Sequence, residues 1–112
     1  MSRVNNVVER VRKVFSKYVD EYLDIYMGNR YLLAFIETLI HEYRAGFYTK
    51  EELMSIATKL RDVLVEGPGN VNPFIMELLG ILEEGSDEKH IKEALDLAKK
   101  LWREDKFDKL EV

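Results

Sequence analysis

Near the start of the chain, Val4, Val8, Val11, Phe15, Tyr18, Tyr22 and Ile25 recur at alternating steps of four and three. That spacing returns each side chain to one face of an α-helix and makes an a/d heptad seam. Val7, Val14, Val19 and Tyr26 widen the seam into a stripe, and Gly28 with Asn29 supplies stop signals. A first helix is predicted over about residues 2–27. Leu32, Leu33, Phe35, Ile36, Leu39, Ile40 and Tyr43 then cover more than half the circumference of a second helix, about 30–45, which Gly46 ends.

Thr49 followed by Glu52 is a capping box, with Tyr48 placed to staple onto Leu53, so a third helix is predicted over about 50–66. Leu53, Ile56, Ala57, Leu60, Val63 and Leu64 give it an inner face, while Lys59 and Asp62 fall outside. Asn72 before Pro73 opens a fourth helix, about 73–84, because proline at a first helical position lacks only an N–H that would be unpaired anyway. Gly85 ends it, and Ser86 is expected to cap a fifth helix over about 87–104. Beyond Glu104 the pattern loses phase, which predicts a frayed tail. No run alternates at period two. The expected fold is all-α, a compact bundle of five helices in a single domain spanning 1–112.

The stretch "EYRAGFYTKEELMSIATKL" resembles the short helical hairpin domains found at the C-termini of many bacterial proteins. The likeness rests on Gly46, Thr49, Glu51, Glu52 and Leu53. It implies a helix, a glycine turn and a capped acidic helix start, and carries no function.

Composition narrows the chemistry. The chain has no cysteine, which removes disulfides, zinc–thiolate sites and thiol nucleophiles together. Glutamine is also absent while Glu and Lys are abundant, a bias that points to a thermophilic source. The apolar run Tyr31–Ile36 is far shorter than the ~20 residues a bilayer requires, and no basic-then-apolar leader opens the chain. A cytoplasmic protein with no membrane association is expected.

Charge is distributed unevenly. Residues 1–17 carry Arg3, Arg10, Arg12, Lys13 and Lys17 against Glu9 alone, so the remainder of the chain is more acidic than the overall net charge of −4. Arg3, Arg10 and Lys17 recur every seven residues with Lys13 beside them, a basic stripe and a candidate polyanion contact. In "FSKYVDEYLDIYMGNRY" the tyrosines fall on the apolar stripe while Asp20, Glu21 and Asp24 point away, so these groups read as two faces of one helix.

Catalytic signals are thin. His41 and His90 lie far apart, no HExxH or Glu-x-x-His pair occurs, and "EGPGN" lacks the Lys-Ser/Thr of a phosphate loop. "LLGILEEGSDEKHIKEAL" suggests two helices of a helix-turn-helix, but Glu83, Glu84, Asp87 and Glu88 at its turn would repel a phosphate backbone. No metal and no cofactor are expected. The sequence points to a non-enzymatic interaction or assembly subunit that forms a homodimer along helix one through Val4, Val8, Val11, Phe15 and Tyr18, with a further protein partner allowed. The alternative is a nucleic-acid-binding accessory protein using Arg3, Arg10, Lys13 and Lys17.

Overall fold

Every α-helix begins where the chain offers a side-chain acceptor to amides that have no partner inside the helix. The structure, a computed structural model, describes residues 2–67 and 69–108. Ser2 opens α1 (Arg3–Ser16), accepting from the Asn5 amide at 3.0 Å. Asp24 opens α2 (Ile25–Arg44), accepting from the Met27 amide at 2.9 Å. Thr49 and Glu52 close the capping box of α3 (Lys50–Glu66), with bonds of 3.1 and 2.9 Å. Asn72 precedes Pro73 at the start of α4 (Pro73–Glu84), and Asp87 opens α5 (Glu88–Glu104).

The all-α bundle of five helices is as expected, and α3 and α4 have the expected limits. The first helix does not run to residue 27. After Ser16 it widens into a π-helical turn, Lys17–Glu21, and the chain breaks at Tyr22–Asp24. Gly28 and Asn29 are not a stop; both lie inside α2 and are buried. The reason is tertiary. A Cβ on Gly28 would sit 3.3 Å from Phe15, Tyr18 and Val19, so glycine lets α2 cross the end of α1 at close range. Asn29 donates to the carbonyls of Ile25 (3.0 Å) and Asn70 (2.9 Å) and accepts from the Asn72 amide (2.8 Å), which satisfies the loop before α4.

Two smaller expectations also change. Asp87, not the buried Ser86, caps α5. The segment after Glu104 does not fray as far as Phe107, whose ring is buried with centroids 5.2 Å from Trp102 and 5.8 Å from Tyr26. Asp105 adopts the left-handed conformation that ends α5.

One core unites the helices, with Phe15, Leu32, Ile36, Leu53, Leu60, Leu78 and Ile91 fully buried. α4 packs on both α3 and α5, and α1 packs chiefly on α3. The molecule measures 35 × 34 × 20 Å. A helix with its side chains is about 10–12 Å across, so the short dimension admits two layers. No described helix is long and apolar enough to cross a membrane.

Candidate functional site at the first helical corner

The chain turns from α1 into α2 through a geometry that its side chains do not favour. The π-helical turn ends with the Tyr22 amide bonded to the Lys17 carbonyl at 3.1 Å. The Asp24 amide then reaches back to the Tyr18 carbonyl at 2.9 Å. Between them Leu23 has φ of 53°, the left-handed region that a Cβ disfavours by about 1–2 kcal/mol. Besides glycines, only Leu23, Asn70 and Asp105 have positive φ among the described residues. Asn and Asp tolerate that region through their short polar side chains; leucine does not.

The strained residue is also the most exposed large apolar one. Leu23 is 81% exposed, Tyr22 61% and Met27 40%. All three lie where the π-helical turn meets α2, and Lys17, Asp20 and Glu21 of that turn are exposed as well. Lys17 stands 5.9 Å from the Tyr22 ring centroid, and Tyr18 meets Tyr22 edge-on at 6.3 Å. Tyr22 is thus off the buried stripe where the heptad placed it, because the π-helical turn shifts the phase of everything after Ser16.

The proposed seam lies elsewhere. Val4, Val8, Val11 and Phe15 are buried within the protomer, and Tyr18 is half-buried against Tyr31 at 5.9 Å. The face of Val4, Val8, Val11, Phe15 and Tyr18, expected to be exposed for pairing, is thus covered within the protomer, where α1 packs on α2 and α3. At 14 residues α1 is also short enough for them to do so.

The basic stripe divides. Arg3 bonds Glu52 at 2.6 and 3.1 Å and stacks 4.7 Å from the Tyr48 centroid. The Arg3 guanidinium, with the Thr49 amide, holds the Glu52 carboxyl below its ordinary value. Arg12 engages Glu9 and lowers that carboxyl likewise. Arg10, Lys13 and Lys17 remain exposed, without an ion pair among the described residues. Burial pushes the Tyr31 and Tyr48 hydroxyls up, with the charge of Arg10 pulling the other way on both.

The histidines are separate from one another. His90 pairs with Asp87, while His41 lines a depression between α2 and α5 together with Glu37 and Lys92. Among the described residues, no group of three or more His, Asp or Glu is placed to hold a metal ion. Compared with known proteins, the chain matches no family model, no curated protein sequence and no solved structure.

Proposed function

We propose that this protein is a non-enzymatic interaction and assembly subunit that pairs with a second copy of itself through the corner of Tyr22, Leu23 and Met27. The observation that carries the reading is Leu23, an aliphatic side chain kept in left-handed backbone and turned 81% to solvent. Strain of that kind persists only where the surrounding structure enforces it, and it concentrates at binding sites. An exposed aromatic, leucine and methionine within one short turn of chain offer the apolar centre that an interface requires.

The rim favours a second copy over a partner of one charge. In a two-fold contact, residue i meets residue j and j meets i, so a surface must be complementary to itself. Lys17 with Asp20 and Glu21 around one apolar centre meets that condition, since each lysine would face the acids of the other protomer. Homo-oligomerisation thus uses the end of the first helix and not its valine seam.

Light scattering at rising concentration tests the proposal. The native protein is expected at twice its 13.2 kDa mass, and Leu23→Asp at the monomer mass with an unchanged circular dichroism spectrum. A native protein that stays monomeric at high concentration would defeat the homodimer.

A further inference from the structure

A second surface, separate from the corner, gathers positive charge from two helices. Between α1 and α3 runs a groove of about 760 Å³ whose apolar floor includes Val8 and Val63. Arg10 and Lys13 line it from α1, and Lys59 lines it from α3. Lys59 donates to the Asn5 side-chain oxygen at 2.8 Å, which fixes its ammonium at the groove wall with donors to spare. Two carboxylates also line the groove. Glu9 is neutralised by Arg12, leaving Asp62 as the unpaired acid among the described residues there. Three cations facing one such acid, on a chain of net charge −4, make this a local reversal of the molecule's charge.

We propose that this groove binds a single-stranded nucleic-acid segment, with Lys13, Lys59 and Arg10 on its phosphates and a base against the valine floor. The cations are consistent with backbone contacts to a flexible strand, and the Val8 and Val63 side chains with apolar contact to a base edge or face. The arrangement differs from the stripe along one helix face: Arg3 is withdrawn by Glu52, and Lys59 takes its place from another helix. None of these residues belongs to the Leu23 corner, so the inference does not depend on the assembly reading.

Fluorescence anisotropy with a labelled single-stranded twelve-mer of uridine or thymidine tests it. Three neutralised phosphates predict an affinity that falls about 20-fold between 50 and 200 mM salt. Lys13→Glu with Lys59→Glu should abolish binding while the fold persists, since both side chains are exposed. Lys99→Glu with Lys100→Glu on α5, an equal charge change on another face, should leave most of it. Asp62→Asn should tighten binding roughly threefold by removing the opposing charge. Leu23→Asp, monomeric or not, should still bind. No anisotropy change at 50 mM salt would overturn the proposal, as would undiminished binding by the Lys13/Lys59 variant. So would a mononucleotide triphosphate that binds as tightly as the twelve-mer, since that would make the ligand a free nucleotide.

Discussion

The corners on either side of α2 solve one geometric problem with different residues. Each has a left-handed position followed by a side-chain cap: Leu23 then Asp24 at the first, Gly46 then Thr49 at the second. Gly46, with φ of 92°, occupies its conformation without a Cβ to crowd, and nothing lies within 4 Å of where one would be. Leu23 adopts its conformation against its own sterics. Both corners expose an apolar side chain, Phe47 being 64% exposed at the second. Only the first combines exposure with strain and with two further apolar neighbours. The second corner is explained by folding alone, and the first is not.

The largest expected effect probes what holds the first corner in place. Gly28→Leu should cost roughly 2–3 kcal/mol by equilibrium denaturation, because Phe15, Tyr18 and Val19 already stand 3.3 Å from the first added atom. A cost below ~0.5 kcal/mol would show that α1 and α2 are not closely crossed at that point.

Next in size is a pair of opposite signs. Gly46→Ala should destabilise by about 1 kcal/mol through backbone conformation alone, since its surroundings are open. Leu23→Gly should instead stabilise the monomer by up to ~1 kcal/mol, as little contact is lost from so exposed a side chain. Destabilisation by Leu23→Gly would make the leucine structural and remove the contrast between the corners.

The smallest effect belongs to the second corner. Glu52 joins the α3 cap to Arg3, and its pKa is depressed in the folded state, first by Arg3 and then by Thr49. A depressed carboxylate contributes stability that is fully present above its ordinary value of 4.5 and lost as pH falls through the lower folded value. Thermal melts should therefore be flat above pH ~5 and decline below ~4.5, and Glu52→Gln should reduce that decline slightly. Both partners are open to water, which keeps the effect small.

What the sequence made legible follows the range of the physics. Thr49, Glu52, Asn72 and Pro73 act within three residues of themselves, so their helices could be read directly. The break at Leu23 left no such mark: no glycine or proline stands at 22–24, and the heptad continues through Tyr22 and Ile25. Asp24 ahead of Ile25, Tyr26 and Met27 was the one local signal, a cap residue before an apolar run. Gly28 and Asn29 misled because their residue types favour turns while their uses are tertiary, a close crossing and a buried hydrogen-bond hub. The fraying expected after Glu104 overlooks Phe107 for a similar reason, its partners Trp102 and Tyr26 coming from two helices. Lys59 read as an ordinary outward lysine, and only packing of α3 on α1 places it beside Lys13.

The hub at Asn29 and Asn72 bears on the speed of unfolding. Its bonds join groups 43 and 41 residues apart, and Asn72 extends them to the Lys106 carbonyl 34 residues further on. Each spans a long loop of chain, so its closure entropy must be met before the bond contributes. Contacts of that kind are expected to form after the helices have docked, so Asn29→Ala should speed unfolding more than it slows folding in a chevron measurement. Interactions absent from the transition state slow escape from the native state and leave the folding rate little changed. On that expectation the two buried asparagines are a latch whose effect would be read in the lifetime of the folded chain.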